Sequence, residues 1–524
     1  MWAFMYVDLD HYLGYTNIES VIKTVKENVN LLCRFANVKF QVFAVLNLLR
    51  QVGVVKNFKS KHHQTMNLIK RILLLTFIMM VPGCSISSWG QSDIVRQADG
   101  YVWPKEKEVL EKLTQWQDLK FGVILHWGIY SVPGIVESWS ICDENWITRD
   151  TTMTYQQYIN RYNSLADQFC PTAFDAGQWA YVCRDAGMRY MVFTTKHHDG
   201  FCLWDSQQTD FTIARHAFRQ DSRRDALRFV FDAFRKEQFM IGAYFSKPDW
   251  HSQYYWWDVY AKKGRNVNYP VDKFPWRWSQ FKQFTHRQLQ EILSGYGPID
   301  ILWLDGGWVY PENKGQDVDM SAIAAMGRGY QPGLLIVDRT IQGPFENYQT
   351  PEQAIPDHQI LHPWESCITL SNDWGYVRHP KWKSSQQVIA KLVEIVAKGG
   401  NLLLGVGPTP EGVIQQEAVE RLKEIGQWLK ANGRAIYSTV TTPHYHDGDV
   451  WFTKSKDGRS LFAVYLPKEG ASSTTITWQG NVPAKGQKIR LLATGKTLRH
   501  IVKDGRVEVR VPSEVVGPLA LEIR

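Results

Sequence analysis

The chain has 524 residues, more than the roughly 250–300 at which one hydrophobic core stops growing, so two or more domains are expected. Its 60 Lys and Arg against 52 Asp and Glu leave a net charge of only +8, without a long basic block, which argues against a nucleic-acid partner. Seven cysteines with neither CxxC pairs nor regular spacing argue against a zinc module and a disulfide framework.

Residues 66–84 have the pattern of a secretory signal. Two basic residues precede a short apolar run that ends in Val-Pro-Gly-Cys, and this run is too short for a stable membrane span. Cys84 after a small residue resembles the lipobox of bacterial lipoproteins, which predicts export to the periplasm or a lipid anchor in the outer membrane. An internal apolar helix of a longer N-terminal domain is the alternative. Residues 1–65 are then a doubtful extension, explained most simply by an upstream start codon.

Short apolar strands alternate with amphipathic helices over residues 97–436. Strands are predicted at 121–127, 189–197, 240–246, 299–305, 334–340, 365–370 and 401–407. Apolar strands separated by helices indicate a parallel α/β architecture, and the length of the alternation favours a (β/α)8-like barrel. An open doubly wound sheet is the alternative, but no GxGxxG follows a first strand to support it. After residue 436, alternating segments separated by Gly, Lys and Asp turns predict a C-terminal antiparallel β-sandwich over 437–524.

The carboxyl ends of barrel strands face the active-site mouth. In this chain the predicted strand ends carry a polar ring, which includes His126, Lys196, His197, His198, Asp199, Tyr244, Asp305, Asp338, Arg339 and Glu365. Asp305 ends an otherwise apolar strand, and the two glycines after it would let a substrate approach the backbone. An Asp before Gly is more often a plain turn, and the surrounding polar ring favours a functional carboxylate here.

Three kinds of catalysis could use such a ring. Metal-assisted hydrolysis needs ligands aimed at one ion, whereas His197 and His198 are adjacent and neighbours on an extended strand point to opposite sides, so no metal is expected. Ser-His-Asp catalysis would need a GxSxG elbow, which the sequence lacks. Paired carboxylates fit best, one as nucleophile and one as acid/base, with histidines and Arg339 holding hydroxyl groups and tryptophans covering an apolar sugar face.

A series of motifs carries a family resemblance. The motifs are "FGVILHWGIYSVPG", "ESW", "TTKHHDGF", "YFSKPDW", "DILWLDGGW", "VDRT", "PWESC…WGY" and "AKGGNLLLGVGP". In this order they resemble the α-L-fucosidases of glycoside hydrolase family 29 over roughly residues 100–440. The resemblance implies hydrolysis of a terminal α-L-fucosyl residue with retention, through a covalent fucosyl-enzyme. It also implies a fucosylated glycan as substrate and no cofactor.

By this resemblance Asp305 is the nucleophile. The residues that it places around the fucose are His126, Glu137, Trp139, His197, His198, Tyr244, Trp303 and Arg339. The acid/base lies on a variable loop of the family. Glu365 of "PWESC" is narrowly favoured over Glu352 of "YQTPEQ", and Glu346 is an outside candidate. Two other functions stay open, a sugar-binding barrel without turnover and an exo-hydrolase of a related sugar such as galactose.

Overall fold

The computed structural model describes residues 100–150, 152–262, 264–469 and 472–524. The predicted signal at 66–84 with its Cys84, and the extension at 1–65, lie outside the described residues. Within the described ranges, no helix is both long enough and apolar enough to cross a bilayer.

Seven parallel strands form one sheet. They are β1 (Phe121–Leu125), β2 (Tyr190–Lys196), β3 (Met240–Ser246), β4 (Ile301–Asp305), β5 (Leu335–Asp338), β6 (Glu365–Thr369) and β7 (Asn401–Val406). The strand order is β5-β4-β3-β2-β1-β7-β6, so the first strand pairs with the last and most neighbours are consecutive in sequence. This order fits the predicted (β/α)8-like barrel rather than a doubly wound sheet. The strands are buried along nearly their whole length because their side chains are apolar on both faces.

The segment 345–353 lies between the two edge strands, β5 and β6. Glu346 forms an antiparallel bridge with Val337 of β5, and Glu352 forms a parallel bridge with Cys367 of β6. Backbone hydrogen bonds continue on both sides of the segment. It takes the place of an eighth strand and carries Glu352 to the carboxyl end of the barrel.

Eight α-helices accompany the strands in the described part of the chain. They are α1 (Lys107–Leu119), α2 (Tyr155–Asn163), α3 (Ala176–Asp185), α4 (Ala226–Lys236), α5 (Pro275–Gly295), α6 (Met320–Tyr330), α7 (Ser385–Ala397) and α8 (Gln416–Asn432). Helix α7 begins after a capping box, in which the Ser384 hydroxyl accepts from the Gln387 backbone and the Gln387 side chain accepts from the Ser384 backbone. Helix α1 differs from the others, because Leu113 and Trp116 pack into the cluster of inward-facing strand residues and close the amino end of the barrel.

The C-terminal residues form two antiparallel sheets. Their strands are β8 (Thr439–Val440), β9 (His446–Asp447), β10 (Val450–Ser455), β11 (Leu461–Tyr465), β12 (Ser472–Gln479), β13 (Ile489–Leu491), β14 (Thr497–Leu498), β15 (His500–Lys503), β16 (Arg506–Val516) and β17 (Leu519–Ile523). One sheet has the order β14-β13-β17-β11-β10-β8, with β9 on β10, and the other has the order β12-β16-β15. The larger sheet packs on the barrel helices, where Trp428 of α8 donates to the Pro518 carbonyl (2.8 Å).

Candidate active site

Asp305 is the last residue of β4 and lies at the carboxyl end of the barrel. Its Oδ2 accepts from the Tyr244 hydroxyl (2.7 Å), and its Oδ1 accepts from Arg339 Nη1 (3.0 Å) and from the Gly306 backbone (2.8 Å). Burial alone would raise the pKa of Asp305, but the Arg339 guanidinium and the hydrogen bond from the Tyr244 hydroxyl offset it and hold the pKa well below its usual range. Asp305 is therefore a buried carboxylate that stays ionised.

The glycine pair after Asp305 serves the packing of neighbouring loops. Gly306 has a φ of +96°, and a Cβ there would lie 2.4 Å from Cδ of Pro248. A Cβ on Gly307 would lie 1.9 Å from Oγ1 of Thr340. Protein atoms occupy the side-chain position of both glycines, so packing of the neighbouring loops is reason enough for the absence of a Cβ there, and the approach of a substrate to this backbone stays a prediction.

His197 and His198 both reach the site. Their ring centroids are 4.2 Å apart, so the expectation that adjacent histidines point to opposite sides is wrong. The reason is that β2 ends at Lys196 after an irregular register, and the two histidines lie in the turn beyond it, where strand alternation does not apply. His197 Nδ1 is hydrogen-bonded to the Ser138 hydroxyl, which fixes its ring.

The hydrogen bonds around His198 define its tautomer. Ser246 Oγ donates to the Pro248 carbonyl (2.5 Å), so it accepts from His198 Nδ1 (2.8 Å). The other nitrogen, Nε2, is then an acceptor and lies 3.7 Å from Oδ2 of Asp305. Burial lowers the pKa of His198 to about 4, against the opposing effect of Asp305, so the ring is neutral at neutral pH. Because His198 Nε2 and Asp305 Oδ2 are both acceptors, a hydrogen-bond donor between them would be favourable, and a sugar hydroxyl is such a donor.

His126 follows β1 and belongs to the same group of buried side chains. Its Nδ1 is buried and has no hydrogen-bond partner among the described residues. Its ring lies 5.3 Å from that of Tyr244 and 5.6 Å from that of His197. Burial lowers the pKa of His126 well below its usual value, so the imidazole is neutral.

Glu352 shares one guanidinium with Asp305. Arg339 Nη1 binds Asp305 while its Nη2 binds Oε2 of Glu352. The other Glu352 oxygen accepts from the Trp374 indole (3.1 Å). The Asp305 side chain is 12% exposed and that of Glu352 is 40% exposed. The structure therefore brings two carboxylates together at the mouth, one enclosed and one open to solvent.

Glu365 does not lie at the mouth. It is the first residue of β6 and so sits at the amino end of the barrel, where its carboxyl accepts from the Tyr190 hydroxyl (2.7 Å) and the Trp303 indole (3.3 Å). Its side chain is fully buried, and burial raises its pKa to about 8. Glu346 is also buried, and burial with the nearby Asp338 raises its pKa to about 8.

Trp303 lies between the two ends of the barrel interior. Its indole nitrogen contacts Glu365, its ring stacks on that of Tyr244 (5.4 Å), and the Arg339 guanidinium lies 4.9 Å from its centroid. It is only 2% exposed. Trp303 therefore forms an apolar floor beneath Asp305 and its neighbours.

Glu137 and Trp139 reach the site from the loop after β1. Glu137 Oε1 accepts from the Gly375 backbone (2.7 Å), and burial raises its pKa to about 7. This bond holds the loop whose neighbouring residue, Trp374, contacts Glu352. Trp139 packs its ring 5.2 Å from that of His198.

Sequence reasoning did not single out Trp374 or Ser138, and it placed Ser246 among the polar residues at the strand ends without assigning it a contact. Each stands inside a motif of the resemblance, "WGY", "ESW" and "YFSKPDW", so its position was visible. The hydrogen bonds to Glu352, His197 and His198 were not visible. They depend on which loops meet at the mouth.

Three of these side chains have donor atoms close enough for a metal ion. The ligand atoms of His197, His198 and Asp305 all lie within 4.8 Å of one another. Both Asp305 oxygens already accept hydrogen bonds, one of them from the cationic Arg339. A second cation at this point would be repelled by that guanidinium, so the donor set fits a metal poorly.

The alpha-L-fucosidase family model matches residues 89–434. Human plasma alpha-L-fucosidase is 28% identical over 423 residues, which cover 76% of this chain and 86% of the human protein. The solved structure of alpha-L-fucosidase isoenzyme 1 from Paenibacillus thiaminolyticus is 29% identical, with a TM-score of 0.66 over 80% of this chain and 99% of that one. The Thermotoga maritima alpha-fucosidase in complex with fucose is 26% identical, with a TM-score of 0.64 over 80% of this chain and 100% of that one. This chain therefore belongs to the α-L-fucosidases of glycoside hydrolase family 29.

Proposed function

We propose that this α-L-fucosidase is a retaining exo-enzyme in which Asp305 is the nucleophile and Glu352 is the acid/base. The observation that supports the pair most strongly is Arg339, whose guanidinium binds both carboxylates. Retaining glycosidases place their carboxyl groups about 5–5.5 Å apart, a spacing that two carboxylates on one guanidinium can adopt.

In the first step Asp305 attacks the anomeric carbon of the fucosyl residue. The bond from that carbon to the leaving oxygen breaks, and the Glu352 proton passes to the leaving oxygen. In the second step the Glu352 carboxylate takes a proton from water, the water oxygen attacks the anomeric carbon, and Asp305 leaves as a carboxylate. Burial and Asp305 keep the pKa of the Tyr244 phenol well above its usual range, so Tyr244 keeps its proton and can donate to Asp305 throughout.

The sequence narrowly favoured Glu365 as the acid/base, and we propose Glu352 for this role instead. An acid/base must reach the leaving oxygen and exchange protons with water, which the partly exposed Glu352 carboxyl can do. The Glu365 carboxyl is enclosed at the amino end of the barrel and hydrogen-bonded to Tyr190 and Trp303. It has no route to the leaving group.

The fucose itself would occupy the enclosed space between the histidines and the aromatic floor. The acceptor nitrogen of His198 and the neutral imidazole of His126 match sugar hydroxyl groups, and the stacked rings of Tyr244 and Trp303 match an apolar methyl group. Because the side chains around Asp305 are nearly all buried, we expect the site to admit only a terminal residue. This is the basis for proposing exo-action.

Release of p-nitrophenol from a panel of aryl glycosides tests the proposed reaction. We expect turnover of the α-L-fucoside. In the proton NMR spectrum the α-anomer of free fucose should appear first, because the reaction retains configuration, and the β-anomer should follow by mutarotation. Turnover of an α-L-galactoside instead would favour the related-sugar alternative, because L-fucose is 6-deoxy-L-galactose. Folded protein that hydrolyses none of the glycosides but binds fucose would favour the sugar-binding alternative.

We also propose export and a C-terminal sandwich. The pattern at 66–84 supports export, and Cys84→Ala should move the protein from the membrane fraction to the soluble fraction if Cys84 carries lipid.

The sandwich is supported by one buried cluster that contains Phe452 and Leu521 of the larger sheet with Trp478 and Val509 of the smaller.

A further inference from the structure

An exposed tryptophan stands at the rim of the proposed active site. Trp146 is 56% exposed, and its ring centroid lies 5.4 Å from that of Trp139. The Trp139 ring lies 5.2 Å from that of His198, whose Nε2 is 3.7 Å from Asp305. Trp146 is therefore separated from the nucleophile by only two side chains.

The loop that carries Trp146 is held in place by specific contacts. The Arg265 guanidinium lies 5.0 Å from the Trp139 centroid and 5.1 Å from that of Trp308, and its Nε donates to Glu144 (2.9 Å). These contacts order the chain two residues before Trp146 and the ring on which it packs. The exposed indole face is thus presented to solvent by an ordered support, at a cost that a ligand would offset.

The same loop borders an open cleft of about 830 Å³. Asp143 and Arg149 line one side of the cleft, and residues 258–262 line another. Its volume lies within the roughly 300–1,000 Å³ of ligand sites, and the lining offers both hydrogen-bond donors and acceptors without a dominant charge. A neutral oligosaccharide matches this lining better than a strongly anionic ligand does.

We propose that Trp146 is the stacking platform for the neutral sugar to which the fucose is attached, and that the adjoining cleft receives the sugars beyond it. A hexose or N-acetylhexosamine ring has an apolar face of C–H groups that packs on an indole, while its hydroxyl groups point to the polar cleft. The inference rests on the proposed function, since it assigns the part of the substrate that lies outside the fucose pocket.

The test compares substrates with and without a sugar leaving group. α-L-Fucosyl fluoride occupies only the fucose pocket, whereas neutral oligosaccharides with α1,2-, α1,3-, α1,4- or α1,6-linked fucose also reach the rim. For Trp146→Ala we expect kcat/KM on at least one of these oligosaccharides to fall about three- to tenfold, mainly through KM, with kcat/KM on the fluoride unchanged. Trp146→Phe should restore part of the loss.

Trp103→Ala is the matched control, because Trp103 is similarly exposed (51%) and precedes α1 at the other end of the barrel. We expect it to leave both substrates unaffected. Equal losses on the fluoride and the oligosaccharides, no loss on any of the four linkages, or the same loss in Trp103→Ala would overturn the assignment. If the native protein hydrolyses no fucoside, the proposed function fails. The platform is then tested by lactose and N-acetyllactosamine binding, which Trp146→Ala should weaken by the same factor and which would refute the platform if unchanged.

Discussion

Replacing Glu352 and Glu365 separately should produce opposite patterns of activity and stability. Glu352→Ala removes the proposed acid/base from the mouth, whereas Glu365→Gln alters a carboxyl enclosed beneath the site. Glu352 contacts Arg339 at the mouth and Glu365 contacts Trp303 beneath it, so each variant serves as the control for the other.

The expected magnitudes follow from where the two side chains lie. General acid catalysis contributes about 10²–10⁴-fold, so Glu352→Ala should raise the barrier for a poor leaving group by about 2.7–5.4 kcal/mol. Its side chain is 40% exposed, and loss of a partly exposed ion pair costs at most about 1 kcal/mol of folding stability. In Glu365→Gln the amide can accept from Tyr190 or Trp303 with one oxygen only, and a buried donor left without an acceptor costs about 1–3 kcal/mol.

The assay uses aryl α-L-fucosides with leaving groups of graded acidity, with and without sodium azide, beside urea unfolding of each variant. The activity of Glu352→Ala should fall steeply as the leaving group becomes poorer. Azide should restore its turnover, because azide attacks the fucosyl-enzyme without help from a base, and the product should be α-fucosyl azide. Glu365→Gln should unfold at lower urea near pH 4.5, where the raised pKa of Glu365 does not yet lower the stability of the native protein, and should show no dependence on leaving group or azide. Azide rescue of Glu365→Gln, with a flat response in Glu352→Ala, would refute the assignment.

Three further predictions follow from the contacts around Asp305 and Glu365. Tyr244→Phe should lower kcat/KM by about 10- to 150-fold with little change in unfolding midpoint, because a charge-assisted hydrogen bond worth about 1.5–3 kcal/mol is lost while the ring stays packed on Trp303. Because the folded pKa of Glu365 is raised, this residue lowers stability as the pH rises from about 4.5 to about 8, so Glu365→Gln should flatten the stability curve in that window, measured by urea unfolding at each pH. Dialysis against EDTA should leave kcat/KM on an aryl fucoside unchanged, because Arg339 and Tyr244 already occupy both oxygens of Asp305, and a loss restored by one added divalent ion would contradict this.

The barrel strands could be predicted from the sequence, because a strand with apolar residues on both faces is stable only where both faces are buried. The closure of the sheet by 345–353 could not, since this segment pairs with β5 and β6 only at isolated points and shows no apolar period. Helix α1 was also missed. Its role at the amino end of the barrel depends on the Trp116 contact with inward-facing residues far away in sequence.

At the site, the proposed nucleophile was easier to locate from the sequence than the proposed acid/base. Asp305 ends an apolar strand, and the direction of the strand puts it at the mouth. Glu365 was favoured for its place in a regular motif, but it opens β6, so the same rule of strand direction puts it at the opposite end. Glu352 lies in the irregular segment between the edge strands, and only the shared contact with Arg339 reveals its partnership with Asp305.

The most direct test of the central claim is to trap the fucosyl-enzyme and locate the bond. A 2-deoxy-2-fluoro-fucosyl fluoride should form an adduct that accumulates, because the C2 fluorine slows both steps while the fluoride leaving group favours the first. Intact-mass measurement followed by proteolysis and tandem mass spectrometry would identify the labelled residue. We expect one fucosyl group per chain, on Asp305. Label on another carboxylate, or no adduct from protein that hydrolyses α-L-fucosyl fluoride, would contradict the assignment of Asp305 as the nucleophile.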